Sequence, residues 1–392
     1  MKAVAVVGGS LAGLSAARAL RNQGFDGRVS VISQEVHRPY DRPPLSKSFL
    51  AGAATESELA LEAEEEDLDL DWRFGRYATA LSPSQRSVEL SDGTSVISDG
   101  IVIATGARPR TLGAASLQGV HVLRTLEDAL GLKRELVPGT RLVMVGAGFI
   151  GAEVASTARG LGVEVTMISA AATPLIGPLG QQLGGIVSAL HAEHGVRLIG
   201  GVEVTGLAGS ERVTGVSLAD GRMIEADVVL VAIGVRPNTE WLATSGLDAA
   251  SGVLCNAYGA TELPNVVAVG DCASWYDPVL AEHHRLEHWT GARERAAIAV
   301  SSLLSGGSEK RMGRPPYFWS DQYGLRIQLA GHLRAADSVV VEDGSADDGE
   351  FLAVYRRGDQ PVAVLALGHG KSFMRWRRQL ASQALSDPVS TL

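Results

Sequence analysis

The sequence is poor in cysteine, with only Cys255 and Cys272 among its 392 residues. The two form neither a C-x-x-C pair nor a spacing that is typical of metal ligands. A framework of disulfide bonds is therefore not expected. The cysteine content instead fits a reduced, cytoplasmic compartment, where thiols stay unpaired.

Positive charge and long apolar runs are also scarce. Lys and Arg total 35 against 44 Asp and Glu, and the net charge of −9 argues against general nucleic-acid binding. No apolar run approaches the roughly 20 residues of a membrane span, and "DVVLVAIGV" is typical of a buried strand. The opening "MKAVAVV" is too short for a signal peptide and runs directly into glycines.

Glycine, by contrast, is abundant. The chain has 46 glycines, well above the usual share of roughly 7%, and such a content suits tight turns between strands and helices. With 45% hydrophobic and 20% charged residues the composition is globular. A chain of this length is too long for one ordinary core, so we expect two or three domains.

The first glycine-rich turn, "GGSLAG" from Gly8 to Gly13, lies in a predicted β-α-β unit with elements Ala3–Val7, Leu11–Gln23 and Arg28–Ser33. Such a turn lets backbone N–H groups approach a pyrophosphate at a helix N-terminus. Ser10 replaces the middle glycine, so the turn alone could be an ordinary strand-to-helix connection. Glu35, about 22 residues beyond Gly13, favours a dinucleotide site because a carboxylate there can bind a ribose diol.

A second turn, "GAGFIG", has all three glycines and lies in a predicted unit with elements Arg141–Val145, Phe149–Leu161 and Glu164–Ile168. Ser169 stands where a carboxylate would grip the ribose 2′-hydroxyl, and no arginine follows for a 2′-phosphate. We therefore expect a nicotinamide site with modest selectivity, favouring NADH. Two dinucleotides held close together indicate electron transfer between them.

Three further segments fit the pair of turns. "IVIATGARP" (101–109) and "VLVAIGVRPN" (229–238) are apolar strands that end in small residues and then Arg-Pro, and "TELPNVVAVGDCA" (261–273) ends a strand in Gly270 and Asp271. From about Lys310 the pattern changes to short alternating strands, after a Gly/Ser-rich boundary at "LLSGGSEKRMG". The basic helix that follows, with "KSFMRWRR" at 371–378, is either a solvated face or part of a docking surface for an acidic partner.

The chain resembles the FAD-dependent NAD(P)H ferredoxin reductases of bacterial oxygenase systems. The residues that carry the resemblance are "HRPYDRPPLSK" (37–47), "RTLEDA" (124–129), "HRLEHW" (284–289) and "PYFWSDQYGLRIQLAG" (316–331). The fold that it implies is α/β, with two Rossmann-like dinucleotide-binding domains of the glutathione reductase superfamily and a C-terminal α+β domain. The implied segments are an FAD domain at 1–107 and 235–309, an NAD(P)H domain at 108–234, and the C-terminal domain at 310–392.

The resemblance also implies the site. FAD, held non-covalently, would contact Gly8, Gly9, Ser10, Leu11, Ala12, Gly13, Glu35, Arg42, Lys47, Ala78, Ala104, Thr105, Gly106, Arg124, Gly270, Asp271, Glu287, His288, Trp289 and Trp319. NADH, or NADPH, would contact Gly146, Gly148, Phe149, Ile150, Gly151, Glu153, Ser169 and Gly234. Lys47 and Glu153 would be the catalytic residues, and we expect them to pair. The implied partners are a [2Fe–2S] ferredoxin and, indirectly, a Rieske dioxygenase or cytochrome P450, with no nucleic acid and no membrane.

Each of these residues also has a simpler interpretation. The histidines of "EHHRLEH" could suggest a metal site, but adjacent side chains diverge on a helix, and no metal is expected. Trp289 and Trp319 could be core aromatics and Lys47 a surface lysine, while Glu153 suits an early helix position in any case. Without the family context, the core interpretation of Trp289 and Trp319 and the surface interpretation of Lys47 would be preferred.

The absence of a redox cysteine after the first turn limits the reactions that are expected. Related disulfide reductases carry a redox cysteine after the first turn, whereas this chain has "PYDRPPLSKSF" there. The flavin would therefore pass its electrons directly to an outside acceptor. Two alternatives stay open: a signalling flavoprotein similar to apoptosis-inducing factor, and a quinone or monodehydroascorbate reductase.

Overall fold

A parallel sheet of five strands contains the first glycine-rich turn. The computed structural model describes residues 1–113, 117–173, 175, 179–306, 314–345 and 348–386. The strand order is Val266–Ala268, Gly100–Ile103, Ala3–Val7, Arg28–Ser33 and Leu70–Phe74. The strand at one edge comes from late in the chain, so the chain leaves this sheet and returns to complete it.

Two helices cover this sheet and pack on each other, Leu11–Asn22 and Trp289–Ser305. The first ends one residue before the predicted Gln23, which instead forms the C-cap and donates its backbone N–H to Ala19. Gly24 follows with φ +84°, a left-handed conformation that ends the helix at little cost for glycine. The predicted strands of this first unit, Ala3–Val7 and Arg28–Ser33, are confirmed.

A second parallel sheet contains the other glycine-rich turn. Its strand order is Arg197–Gly200, Glu164–Ser169, Arg141–Val145, Val228–Val231 and Val120–His121. The helices of this unit are Leu126–Glu135, Phe149–Gly160 and Gln181–Glu193. The middle helix ends one residue earlier than predicted, and the strand Glu164–Ser169 extends one residue further, because Ser169 still pairs with the neighbouring strand at Gly200.

Short strands connect and extend the two units. Where the chain passes between them, Ala107–Pro109 pairs antiparallel with Val235–Pro237, so the two predicted Arg-Pro segments lie side by side. The other small sheets are formed by Ala78–Ser82, Ser87–Leu90 and Ser95–Ile97; by Val204–Gly209, Val213–Leu218 and Met223–Glu225; and by Val253–Cys255, Ala273–Asp277 and Glu282–Arg285.

The C-terminal region forms an antiparallel sheet packed against one helix. The strand order is Tyr317–Gln322, Leu325–Gly331, Gln360–Leu367, Glu350–Arg357 and Ser338–Ser345, and the helix is Gly370–Ser386. This confirms the predicted alternating strands and the α/β fold class with a C-terminal α+β domain. Most of the predicted boundary at 303–313 lies outside the described residues. In the part of the chain that is described, no helix is both long and apolar enough to cross a membrane.

Candidate active site

A cavity opens where the two parallel sheets and the C-terminal sheet meet. Its wall includes seventeen residues that the sequence predicted for the site: Ser10, Leu11, Ala12, Arg42, Lys47, Ala104, Gly106, Arg124, Phe149, Ile150, Glu153, Gly270, Asp271, Glu287, His288, Trp289 and Trp319. The other predicted residues do not line it: Gly8, Gly9, Gly13, Glu35, Ala78, Thr105, Gly146, Gly148, Gly151, Ser169 and Gly234. Residues of the first turn, the helix that follows the second turn, and the side chains of Lys47 and Glu153 therefore lie around one space.

The first turn is shaped by glycines that lie behind the cavity wall. Gly8 has φ +121°, and a Cβ atom on it would lie 2.0 Å from the carbonyl oxygen of Ala104. A Cβ on Gly13 would lie 1.8 Å from the oxygen of Gly8, so the helix begins directly against the end of the strand. Ser10 is the N-cap but its side chain caps none of the first-turn N–H groups. These N–H groups suit a pyrophosphate.

Glu35 lies beyond the cavity wall and is bound to it through Arg42. The Arg42 guanidinium contacts Glu35 Oε1 at 2.5 Å and donates to Ser10 Oγ at 3.3 Å. The Tyr40 hydroxyl donates to the other oxygen of Glu35, and burial raises the pKa of Tyr40 well above its usual range. Glu35 is thus fixed beside the first turn. The hydrogen-bond network that holds it includes Ser10, the N-cap of the helix that follows this turn.

A second ion pair crosses the cavity wall near the end of the strand Val266–Ala268. Arg124 donates to Asp271 Oδ2 at 2.8 Å, although 147 residues separate them in sequence. Asp271 follows Gly270, whose φ is +74°, and a Cβ on Gly270 would lie 2.8 Å from Ala12 Cβ. Glu287 is close by, and burial raises the pKa of its carboxyl.

Lys47 and Glu153 meet across the cavity, and this confirms the predicted contact. Lys47 Nζ lies 2.6 Å from Glu153 Oε2 and 3.1 Å from the carbonyl oxygen of Pro43. Glu153 is only 5% exposed. The helix that carries Glu153 is also bound to the first unit through Thr157, which donates to the carbonyl oxygen of Ser46 at 2.8 Å. A half-buried ammonium and a buried carboxylate each need such a partner.

Aromatic rings form another part of the wall. Trp289 Nε1 donates to Asp41 Oδ1 at 2.7 Å, and the Trp289 ring meets Trp319 edge-on at 5.8 Å between centroids. Tyr317 stacks beside Trp319 at 5.9 Å. Burial raises the pKa of Asp41, which the tryptophan N–H opposes in part. Both predicted tryptophans therefore face the cavity.

His288 is half-buried in this wall. Its ring lies 5.1 Å from that of Phe318, and burial lowers the pKa of His288 to about 4. The imidazole is therefore neutral at pH 7. Its Nδ1 is buried and has no hydrogen-bond partner among the described residues. A polar atom left in this state at a cavity wall fits contact with a bound group.

The second turn repeats the strand-to-helix geometry of the first. Gly146 has φ +105°, and a Cβ on it would lie 2.2 Å from the carbonyl oxygen of Ala232. Gly148 is the N-cap of the following helix, and a Cβ there would meet nothing within 4 Å. Ser169 is buried at the end of the neighbouring strand. Phe149, on the helix, contacts Phe318 of the C-terminal sheet at 4.3 Å between centroids.

Neither a metal site nor a redox thiol accompanies the cavity. Among the described residues, no group of three His, Cys, Asp or Glu side chains could hold a metal ion. Cys255 and Cys272 are free and buried, and neither lines the cavity. Burial raises the pKa of both thiols, which makes them poor nucleophiles.

The sequence analysis missed several wall residues: Tyr40, Asp41, Pro43, Leu45, Ser46, Leu123, Ala292, Tyr317 and Phe318. Most of these lie inside motifs that had been recognised, "HRPYDRPPLSK" and "PYFWSDQ", but no role had been given to them. The segments that carry these motifs run along the cavity, so several side chains of one motif reach it. Every residue of these motifs was therefore a candidate.

Comparison with known protein families covers nearly the whole chain. Residues 2–296 match the pyridine nucleotide-disulphide oxidoreductase family, and residues 317–391 match the reductase C-terminal family. The second match begins with the strand Tyr317–Gln322, which carries part of the cavity wall, and residues 297–316 belong to neither match.

Individual proteins are similar over the same extent. The ferredoxin reductase component of chlorobenzene dioxygenase from Cupriavidus sp. (strain PS12) is 38% identical over 390 residues, which cover 98% of this chain and 94% of that protein. Rhodocoxin reductase from Rhodococcus erythropolis is 36% identical, with 98% and 91% covered. The structure of a covalent putidaredoxin reductase–putidaredoxin complex superposes with a TM-score of 0.92 at 32% identity, covering 97% and 93% of the two chains.

Proposed function

The chain belongs to the pyridine nucleotide-disulphide oxidoreductase family, and from this premise we propose that it is a ferredoxin–NAD(+) reductase of an oxygenase system. It oxidises NADH and delivers single electrons to a [2Fe–2S] ferredoxin, which serves a Rieske dioxygenase or a cytochrome P450. The observation that carries this function is the single cavity, in which the first turn, the helix of the second turn and the aromatic C-terminal strand meet without a thiol.

FAD fits the first part of this cavity. The glycine contacts bring the N-terminus of the helix Leu11–Asn22 against the strand, and its uncapped N–H groups suit a pyrophosphate. Arg42 adds positive charge beside Ser10, and Glu35 suits a ribose diol. Asp271 and Arg124 would lie along the chain that connects the two ends of the cofactor. His288, Trp289 and Trp319 would enclose the ring system.

A bound flavin supplies the chemistry that the protein lacks: it accepts a hydride from a nicotinamide and returns electrons one at a time. The residues of the chain bind and orient the cofactor and the nucleotide, and they exclude water from the cavity. Lys47 and Glu153 form an ion pair in which the Glu153 side chain is 7% exposed and the Lys47 side chain 18%, so they would present a fixed polar surface to the reacting rings. The two tryptophan rings add apolar surface to the wall.

The nicotinamide nucleotide would bind at the second turn. Gly148 leaves open space above the helix N-terminus, so a pyrophosphate can approach the backbone there. The predicted contacts at Phe149, Ile150 and Glu153 lie on the cavity wall, on the side of the second unit. Ser169 neither attracts nor repels a 2′-phosphate, so we expect NADH to be preferred over NADPH by a modest factor.

The segments 1–107, 108–234, 235–309 and 310–392 are proposed as the first FAD part, the NAD(P)H domain, the second FAD part and the C-terminal domain. The return of the strand Val266–Ala268 to the first sheet supports the split FAD domain. We also propose a cytoplasmic location, which the unpaired Cys255 and Cys272 support.

One experiment separates this function from the signalling alternative. The holoprotein is reduced anaerobically with NADH and then mixed with an oxidised [2Fe–2S] ferredoxin in a stopped-flow instrument. A reductase transfers electrons to the ferredoxin within its catalytic turnover time. A signalling flavoprotein would instead keep the reduced, nucleotide-bound state for many turnover times.

A further inference from the structure

The Glu153 carboxylate accepts hydrogen bonds from three donors that belong to two other parts of the chain. Ser46 Oγ and Lys47 Nζ each lie 2.6 Å from Glu153 Oε2, and both follow the first β-α-β unit. Ser320 Oγ, from the C-terminal sheet, donates to Glu153 Oε1 at 2.7 Å. The two oxygens of the Glu153 carboxylate thus bind different domains. Oε1 accepts from Ser320 of the C-terminal sheet, which leaves Oε2 to accept from Lys47.

Gln322 gives the Ser320 hydroxyl its direction. Gln322 Nε2 donates to Ser320 Oγ at 3.0 Å, and both side chains are fully buried. A serine hydroxyl carries a single hydrogen. Because its oxygen already accepts from the amide, that hydrogen is directed to Glu153. Gln322 therefore acts on Glu153 only through Ser320.

A buried histidine, His191, lies next to Gln322 in the same group of buried polar side chains. His191 is fully buried, its Nδ1 lies 2.7 Å from the Tyr323 hydroxyl, and burial lowers its pKa to about 4. The neutral ring has one N–H, which is Nε2–H when Tyr323 donates to Nδ1. His191 Nε2 and Gln322 Oε1 have no hydrogen-bond partner among the described residues. The Gln322 side chain partly offsets the lowering of the His191 pKa, so the two side chains lie close together in one buried polar cluster.

Strand periodicity brings these groups to one face. Ser320 and Gln322 are two residues apart on the strand Tyr317–Gln322, so their side chains point to the same side. That side faces the helices that carry Glu153 and His191. The backbone N–H of Tyr323 donates to Ser156 Oγ at 2.7 Å and holds the end of the strand on the first of these helices.

We propose that Ser320 and Gln322 are positioning residues for the Lys47–Glu153 pair, so that the C-terminal domain completes the hydride-transfer site. The terminal torsion of a glutamate is broad, and a carboxylate without a fixed oxygen rotates between partners. Ser320 stops this rotation at Oε1, and Lys47 then meets Oε2 in one geometry. The inference rests on the proposed reductase function, since it concerns the reductive half-reaction.

The test uses the FAD-loaded protein and three variants: Ser320→Ala, Gln322→Met and the double variant. The first readout is the reactivity of Lys47 in a brief pulse of acetic anhydride, measured by peptide mass spectrometry against the exposed Lys371. The second is the rate of flavin reduction over a series of NADH concentrations, which separates the limiting rate from the half-saturation concentration. Asp321→Asn is the matched control, because Asp321 lies on the same strand and pairs with Arg326 at 2.7 Å.

Without the Ser320 hydroxyl the Glu153 carboxylate can shift, and small displacements near reacting atoms are costly to rate. We expect Ser320→Ala to lower the limiting rate by about tenfold, to raise Lys47 acetylation by about threefold, and to leave half-saturation within about twofold. Gln322→Met should have a smaller effect of the same kind. The double variant should equal Ser320→Ala alone, because Gln322 acts through Ser320. Asp321→Asn should match the unaltered protein in both readouts.

Two results would overturn the inference. One is unchanged Lys47 reactivity and limiting rate in Ser320→Ala that retains its FAD. The other is additive effects of the two substitutions, which would make Gln322 an independent structural residue. Failure of the proposed function looks different, since NADH would then fail to reduce the unaltered holoprotein while the acetylation differences among the variants could still be measured.

Discussion

The two glycine-rich turns have similar backbone geometry but different surroundings. Gly8 and Gly146 both adopt left-handed φ and press against a neighbouring strand, with a hypothetical Cβ 2.0 and 2.2 Å from a carbonyl oxygen. The third glycine differs, because a Cβ on Gly13 would lie 1.8 Å from the oxygen of Gly8, against 3.0 Å for the equivalent pair, Gly151 and Gly146. The first turn is the tighter of the two.

The residues at the ends of the neighbouring strands also differ between the two turns. Beside the first turn, Glu35 is fixed by Arg42 and Tyr40, and its network includes the N-cap. Beside the second turn, Ser169 is buried and uncharged. A tight turn with a fixed acid suits a cofactor that stays bound, whereas an open turn without one suits a substrate that must leave after each turnover. The comparison therefore explains why one fold element is used twice.

The largest expected effect comes from the matched substitutions Gly13→Ala and Gly151→Ala. The added methyl group in Gly13→Ala must displace the helix from Gly8, which we expect to cost about 3 kcal/mol or more and to release FAD. Gly151→Ala should cost about 1 kcal/mol and retain FAD, since its contact is only slightly too close. FAD per chain after gel filtration and the thermal unfolding midpoint measure both effects. Equal losses of FAD and of thermal stability in the two variants would contradict the conclusion that the first turn is the tighter one.

Glu153→Gln separates the two half-reactions. Lys47 loses its counter-charge, the surface presented to the nicotinamide shifts, and flavin reduction by NADH should slow by about 10- to 100-fold. FAD content and electron transfer to ferredoxin should stay within about twofold, because neither requires the second turn. Single-turnover kinetics of each step provide the measurement, with the exposed Glu164→Gln as control. Equal losses in both steps would indicate general misfolding instead.

Ser169→Glu makes the second strand end more like the first. A carboxylate there can bind the ribose diol of NADH and repels the 2′-phosphate of NADPH. We expect the NADH/NADPH ratio of kcat/KM to rise about tenfold, which corresponds to one polar contact of about 1–3 kcal/mol. Steady-state kinetics with both nucleotides provide the test. An unchanged or lower ratio would mean that Ser169 does not face the ribose.

The smallest effect concerns the basic C-terminal helix. Arg375 and Arg378 are exposed, while Arg377 covers Tyr317 at 4.2 Å from its ring and Tyr317 stacks beside Trp319 of the cavity wall. The exposed basic face thus adjoins the cavity wall, and we expect an acidic ferredoxin to dock on it.

Arg375→Glu combined with Arg378→Glu should slow ferredoxin reduction about threefold at low salt, with a smaller difference at high salt and no change in reduction by NADH. Exposed Arg197→Glu, on the second sheet, serves as the control. If ferredoxin reduction is equally fast in the double variant at low salt, this face is only a solvated surface.

The sequence was most informative where function constrains local backbone. The two turns and their flanking strands follow from glycine spacing and apolar runs, whereas the contact between Lys47 and Glu153 was expected from the family resemblance. The resemblance added wall residues that no periodicity would select, such as Trp289, whose N–H bonds to Asp41.

What the sequence could not predict are contacts between distant segments. The ion pair of Arg124 with Asp271 spans 147 residues, and the bond of Ser320 to Glu153 spans 167. Serine is common on surfaces, and nothing in its neighbours indicates that Ser320 is fully buried beside a carboxylate. Such pairs depend on how three sheets pack, which is a property of the whole chain.

The central claim is that the first turn holds a permanent cofactor, the second an exchangeable donor, and that electrons then leave singly. Gel-filtered protein should contain one FAD per chain and no nicotinamide nucleotide. In anaerobic stopped-flow mixing, one NADH per chain should bleach the flavin, and two equivalents of oxidised [2Fe–2S] ferredoxin should then restore it as both are reduced. The account would be contradicted if the reduced protein holds its electrons in the presence of excess ferredoxin, or if no flavin is bound.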